Sequence, residues 1–195
     1  MHSYFISIIF FLTMSTQIQN TKSAYFGGGC FWCIEAIFQN INGVIDVTNG
    51  YSGGSSETAN YKDVCSGTTQ HAEICRIQYD PKVISYSILL EIFFLAHDPT
   101  TLNRQGNDIG SQYRSIIFTS DIDEKNKAQK YIASLEENNT YANITTEIVS
   151  LNTFYVAEDN HQNYFSLNPN QSYCALVINP KIQKLRNKLS QYYKN

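Results

Sequence analysis

Apolar residues crowd the start of this chain and then settle into periodic patterns. The opening run, "YFISIIFFLTM" at residues 4 to 14, is almost unbroken. It is too short to span a bilayer comfortably and has the length of a signal-peptide core. Only the α-amino group and His2 supply a positive start, and Thr13-Met14-Ser15 makes an indistinct cleavage site before the polar "TQIQNTK". We read residues 1–20 as an export signal, with an uncleaved anchor or a buried strand or helix as alternatives. Residues 21–195 are read as one folded domain.

Beyond that run the periods alternate between strand and helix. "SAYF" is a short apolar strand, and Gly27-Gly28-Gly29 permits a tight turn and close backbone approach. Phe31, Ile34, Phe38 and Ile41 recur at helical spacing until Asn42-Gly43 stops them. "VIDVTNGYSGGSSETANY" is turn-rich, too glycine-rich for core, and reads as a binding loop. In "HAEICRIQYDP" the residues Glu73, Cys75, Ile77 and Tyr79 share one face of a strand. "SYSILLEIFFLAHDP" predicts a helix capped by Ser85 or Ser87, and "YRSIIFTS" a strand. "SDIDEKNKAQKYIASLEENN" predicts a helix with Ser120 and Asp123 in capping-box spacing. "ITTEIVSL" reads as a strand, "AEDNHQNYFSLNP" as a short helix or turn. Ile182, Leu185 and Leu189 mark a solvated amphipathic helix in "PKIQKLRNKL". Mixed strands and helices without internal repeats predict an α+β two-layer domain.

Composition narrows the function classes. The chain has 195 residues, 43% of them hydrophobic and 13% aromatic, which suits a folded domain with a real core. A net charge of −3 leaves no footprint for nucleic acid. Five cysteines, at positions 30, 33, 65, 75 and 174, cannot all pair, and their spacing resembles no disulfide framework. Cys30 and Cys33 form a C-x-x-C, but no second pair follows with zinc spacing, and the histidines are scattered, so no metal site is expected.

Two positions carry candidate chemistry by placement alone. Cys30 falls at the mouth of the first predicted helix, where unpaired N–H groups and the dipole favour an anion. A lowered thiol pKa is expected there. Glu73 shares the core side of its strand with Cys75 and Ile77, so its carboxyl is expected to have a raised pKa; a strand-end glutamate reaching solvent is the bland alternative. The long polar stretch "HDPTTLNRQGNDIGSQYRS" is a functional loop or a plain surface loop by composition.

The blocks "GGGCFWCIEAIF", "NGYSGG", "YKDVCSGTTQHAE", "YDP", "HDPTTLNRQGNDIGSQYRS" and "AEDNHQNYF" stand in the same order as in the A-type peptide methionine sulfoxide reductases. The chain resembles that family from about Lys22 to about Leu189. The resemblance implies a two-layer fold with a ferredoxin-like core. It also implies reduction of the S epimer of methionine sulfoxide, free or in proteins, without metal or organic cofactor. Cys30 would be the nucleophile and Phe31 and Trp32 the pocket for the substrate methyl group, since sulfur and methyl groups pack well on aromatic rings. Glu73 would protonate the sulfoxide oxygen. Tyr61 and Tyr113 would hydrogen-bond it, and Asp108 would orient this network. Cys30 is left as a sulfenic acid, a second thiol condenses with it, and thioredoxin or another dithiol reduces the disulfide.

Two departures matter. Cys33 stands where many members have Gly, so it competes with Cys174 as the resolving thiol; we expect Cys33 to act first and Cys174 to follow by exchange. Gln70 replaces the Gly that often precedes His-Ala-Glu and is expected only to alter the pocket rim. Cys65 and Cys75 are read as structural. Rival readings are a thioredoxin-like C-x-x-C disulfide oxidoreductase, whose cis-proline turn finds no suitable proline here, and a non-catalytic binding module on the same fold. The expected partners are a thioredoxin-type reductant and oxidised proteins or free methionine sulfoxide, with no nucleic acid and a monomeric state. The expected location is periplasmic or secreted, with a cytoplasmic or membrane-anchored protein as the alternative.

Overall fold

The computed structural model describes residues 21–194, so the expected export signal lies outside the described residues. Strand β1 (Lys22–Gly27) turns into helix α1 (Phe31–Phe38), followed by β2 (Val44–Ser52), α2 (Tyr61–Cys65), β3 (Ala72–Tyr79) and α3 (Tyr86–Ala96). A small hairpin, β4 (Arg104–Gln105) and β5 (Asp108–Ile109), occupies the long polar stretch. Then come β6 (Ile116–Thr119), α4 (Ile122–Glu137), β7 (Glu147–Ser150), β8 (Tyr155–Val156), α5 (Tyr164–Leu167) and α6 (Asn179–Lys188).

Apart from the β4–β5 hairpin, the strands form one sheet in the order β7-β6-β1-β3-β2-β8. Its inner four strands, β6-β1-β3-β2, pair antiparallel, and only β6 and β7 run parallel. With α1 between β1 and β2, and α3 between β3 and β6, this is the β-α-β-β-α-β arrangement of ferredoxin-like folds. The expected two-layer α+β architecture is therefore present.

Alternation along the strands sorts side chains between the layers. Ala24 and Phe26 of β1, Cys75 and Ile77 of β3 and Ile117 of β6 face the helices and join the main core. Ala72, Ile74, Ile116 and Phe118 form a smaller apolar cluster apart from it, with Tyr25, Leu151 and Phe154 packed against them. Helix α1 is buried on nearly every side; of its eight residues only Trp32 is not fully enclosed. Burying such Phe and Ile side chains contributes roughly 1.5–3 kcal/mol each. That burial holds a helix two turns long, which would not persist alone in water.

Two local expectations need correction. Helix α4 is capped one residue later than expected. Asp121 Oδ1 accepts from Glu124 N at 2.8 Å, and Glu124 Oε2 accepts from Ser120 N at 2.7 Å. The capping pair is thus Asp121 and Glu124, with Glu124 serving the N–H of the residue before the cap, because a carboxylate is a stronger acceptor than the Ser120 hydroxyl. The segment from Val44 to Ser52 is no loop. It pairs with β3 along its length, and Asn49, Tyr51 and Ser52 are buried. Its Gly50 marks a close backbone approach, since a Cβ there would run into the Tyr155 carbonyl and the Phe154 ring.

Candidate active site

The turn between β1 and α1 sets the site. Gly29 has φ +92°, and a Cβ on it would meet Gln105 Cβ at 2.8 Å, so the polar hairpin can close over the start of α1 only against glycine. Its N–H donates to Tyr113 O at 3.1 Å, which draws the Tyr113 segment to the same place. Cys30 is the N-cap residue of α1, as expected, and Cys33 lies one turn on. Cys33 N donates to Cys30 O at 3.0 Å, and both side chains are buried. All five cysteines are free thiols.

One of the N–H groups expected to favour a Cys30 thiolate is given to a carboxyl instead. Phe31 N donates to Glu73 Oε2 at 3.0 Å. Burial pushes the Glu73 carboxyl up to about 8; the Phe31 N–H opposes this, and the charges of Asp108 and Cys33 add to it. Glu73 is 2% exposed, so the solvated strand-end alternative is wrong and the raised pKa is as expected. The expected lowering of Cys30 is not found. Burial first, then the hydrogen bond with Cys33 and the charges of Glu73 and Cys33, push its thiol well up, and only the Trp32 N–H pulls it down. Cys33 is instead lowered to about 7. The Cys30 hydrogen bond outweighs its burial, with the Lys181 charge and the Tyr173 hydroxyl assisting. Of the two thiols, Cys33 is therefore the more acidic.

Around this turn stands an aromatic box. Phe31 lies 5.9 Å from Tyr51 and 5.5 Å from His161, centroid to centroid. Trp32 stacks on Tyr164 at 3.6 Å with planes 5° apart, faces His161 at 5.6 Å, and meets Tyr173 edge-on at 6.1 Å. Tyr61 stacks on His161 at 4.2 Å. Tyr61 and Tyr113 both feel the charges of Glu73 and Cys30, which, after burial, raise their hydroxyl pKa values. Half-buried Cys65 lies by both tyrosines, whose hydroxyls pull its thiol pKa down against the larger effect of burial, so this residue borders the site. Cys75 is wholly buried and donates to Asn49 Oδ1 at 3.1 Å.

Asp108 lies on the Cys33 side. Its Oδ2 accepts from the Tyr173 hydroxyl at 2.7 Å, and that hydroxyl stands 3.8 Å from Cys33 Sγ. Asp108 reaches Glu73 through its charge; the structure gives it no hydrogen bond to Tyr61 or Tyr113. A cleft of about 240 Å³ opens here, lined by Cys30, Cys33, Gln105, Asp108, Tyr173 and Lys181. Cys174 follows Tyr173 directly and starts a single π-helical turn, Cys174–Ile178, that runs into α6. Its thiol shows no surface to solvent but lies under a thin cover of protein, close enough to Cys33 for that charge to raise its pKa after burial. Gln70 lines a separate cavity with Arg114 and Glu147, away from the two thiols. Among the described residues no three His, Cys, Asp or Glu side chains gather to hold a metal ion.

The structure thus brings Cys30, Cys33, Glu73, Phe31, Trp32, Tyr61 and Tyr113 to one turn, with Asp108 and Cys174 at its Cys33 side. Sequence reasoning missed Tyr51, His161, Tyr164 and Tyr173. Tyr173 had a signal, its place directly before Cys174. The rings at 161 and 164 had only their presence in a quoted block.

Two buried thiols one helical turn apart, beside a buried carboxyl held at the same helix start, mark a thiol-dependent oxidoreductase, and the comparisons with known proteins specify which. The chain matches the family described as "Peptide methionine sulfoxide reductase" over residues 22–193. It is 53% identical over 167 residues to peptide methionine sulfoxide reductase MsrA of Natronomonas pharaonis, covering 85% of this chain and 94% of that protein. Mxr1 from Saccharomyces cerevisiae in reduced form superposes with a TM-score of 0.72 at 34% identity, covering 79% of this chain and 89% of Mxr1. Methionine sulfoxide reductase A of Corynebacterium diphtheriae gives 0.69 at 36% identity, covering 79% and 77%. The chain belongs to the peptide methionine sulfoxide reductase family, and reduction of methionine sulfoxide to methionine is its activity.

Proposed function

We propose that Cys30 takes the oxygen atom from the S epimer of methionine sulfoxide, free or in polypeptides, with Glu73 as the proton donor. The observation that carries this is the buried Glu73 carboxyl, un-ionised up to about pH 8 and bonded to the N–H of the residue after Cys30. A sulfoxide sulfur is a poor electrophile until its oxygen is protonated. With one Glu73 oxygen held by Phe31 N, the other carries the proton. Tyr61 and Tyr113 add hydroxyl donors for the oxygen, and Phe31 and Trp32 take the methyl group.

As Cys30 attacks, its thiol proton passes to the Cys33 thiolate beside it. The Cys30–sulfur attack and the Glu73 proton together transfer oxygen to Cys30: methionine leaves reduced by two electrons, and Cys30 becomes a sulfenic acid. Cys33, deprotonated again, then attacks the Cys30 sulfur and expels water, forming a Cys30–Cys33 disulfide. Cys174 takes over by exchange, and an external dithiol restores the thiols. We assign that dithiol to a thioredoxin-type protein; Mxr1 from Saccharomyces cerevisiae, 34% identical to this chain, has been solved in complex with Trx2.

Single turnover with separated epimers tests this reading. Methionine should form in stoichiometric amount from the S epimer alone, and equal rates with the R epimer would contradict it. We also propose export through residues 1–20, supported by the apolar run at 4–14. Intact mass of the protein from fractionated cells checks it, and an uncut chain in the cytoplasm would refute it.

A further inference from the structure

Glu35 is the one charged residue in α1, and the mechanism gives it no role. It has no exposed surface. A charge-bearing group so placed needs partners, and Glu35 finds them outside its own helix. Its Oε1 accepts from Asn163 N at 2.6 Å and its Oε2 from Tyr164 N at 3.1 Å. One turn on, Gln39 Nε2 donates to Asn163 Oδ1 at 2.7 Å. Asn163 is held at φ +55°, a left-handed corner that asparagine adopts more readily than most residues. The corner delivers the Tyr164 ring onto the face of Trp32 at 3.6 Å.

The neighbouring stretch is tied down in the same manner. Asn49 Nδ2 donates to His161 O at 2.8 Å, and Gln162 Nε2 donates to Asn49 O at 3.0 Å. These bonds go to β2, whereas Glu35 alone grips the two successive N–H groups at the start of α5.

We propose that Glu35 is a positioning residue for the substrate pocket: by holding the N–H groups of Asn163 and Tyr164 it stacks Tyr164 on Trp32 and fixes the indole wall that receives the sulfoxide methyl group. This rests on the functional reading above, but the clamp itself can be read without catalysis. Trp32 is the only tryptophan, so its emission reports the stack directly.

Glu35→Gln replaces one acceptor by an amide N–H₂ and cannot serve both backbone donors. Tyr164→Ala removes the ring that Glu35 is inferred to place. Both variants should shift Trp32 emission to the red and make it more open to a soluble quencher. In single turnover, the methionine sulfoxide concentration giving half the maximal rate should rise about tenfold, with the maximal rate kept within about twofold, as for loss of binding alone. The double variant should be no worse than either single one, because both break the same link. Wild-type emission and wild-type half-saturation in folded Glu35→Gln would overturn the proposal, and so would effects that multiply in the double variant. If Glu35→Gln does not fold, Tyr164→Ala and amide exchange in the wild-type protein decide. Slow exchange at Asn163 and Tyr164 with the same kinetic split upholds the clamp; fast exchange at those amides overturns it. Red-shifted variants of a wild-type protein that reduces no methionine sulfoxide would uphold the clamp and refute the functional reading instead.

Discussion

The site has a floor and a wall, and they are built differently. The floor is the start of α1 with β3 beneath it. There Glu73 and the two cysteines are fixed by the backbone of regular elements, in the middle of the core. The wall is the stretch from Ala157 through Tyr173, made of short turns. Side-chain clamps hold it: Glu35 on Asn163 and Tyr164, Asn49 on His161, and Glu158 accepting from the Tyr51 hydroxyl at 2.9 Å and Tyr61 N at 2.8 Å. A floor of this kind fixes atoms for bond making. A wall of this kind fixes shape.

The sharpest break of that contrast is Cys30→Ser. No other thiol lies at the helix start beside the aromatic box, so methionine formation in single turnover should fall to background. Cys33, though its thiol pKa is lowered to about 7, should not replace it.

Glu73→Gln is expected to slow methionine formation by roughly 10²- to 10⁴-fold, the usual range for a general acid. The pH profile carries the sign. The acid form of Glu73 is present below about pH 8, so the wild-type rate should fall as pH rises through that value. A glutamine has no proton to lose, so this falling limb should vanish in the variant. A slowing of less than about threefold would remove Glu73 as the acid.

The wall enters with the second thiol. In Cys174→Ser, one equivalent of substrate should give a Cys30–Cys33 disulfide about as fast as methionine appears. In Cys33→Ser the covered Cys174 must first be released from its π-helical turn, so the sulfenic acid should persist long enough to trap. Disulfide mapping decides it; a persistent sulfenic acid in Cys174→Ser, with prompt Cys30–Cys174 bonding in Cys33→Ser, would reverse the order.

The smallest effect belongs to Tyr173→Phe. Removing the hydroxyl between Asp108 and Cys33 takes away one of the groups that lower the Cys33 thiol. The midpoint of its alkylation rate against pH should move up from about 7, with methionine formation little changed. An unmoved midpoint would show that the Cys30 hydrogen bond and Lys181 suffice.

The same division explains what could be read from the sequence. Period-two alternation placed Glu73 on the buried face of β3, and helical spacing with a glycine turn placed Cys30 at the start of α1. These depend on neighbours in sequence. The direction of the Cys30 pKa did not follow, because the thiol is buried and one N–H of the helix start is spent on a carboxyl 42 positions away. Strand β2 was misread as a loop because its glycine suits close contact with Tyr155 as well as a turn. Tyr164, His161 and Glu35 were illegible as parts of one pocket. Their roles rest on hydrogen bonds across more than a hundred residues, between segments too short to show a period. Ile182, Leu185 and Leu189 were legible and are buried, which brings Lys181 and Cys174 against the site.

In this reaction scheme the sulfoxide oxygen passes to Cys30. The variant lacking both Cys33 and Cys174, each changed to Ser, isolates that step, since neither can then resolve the product. Treated with one equivalent of S-methionine sulfoxide, it should release one methionine per chain and gain the mass of one oxygen atom at Cys30, trapped there by a sulfenic-acid reagent. Methionine released with Cys30 left as a free thiol would contradict the account.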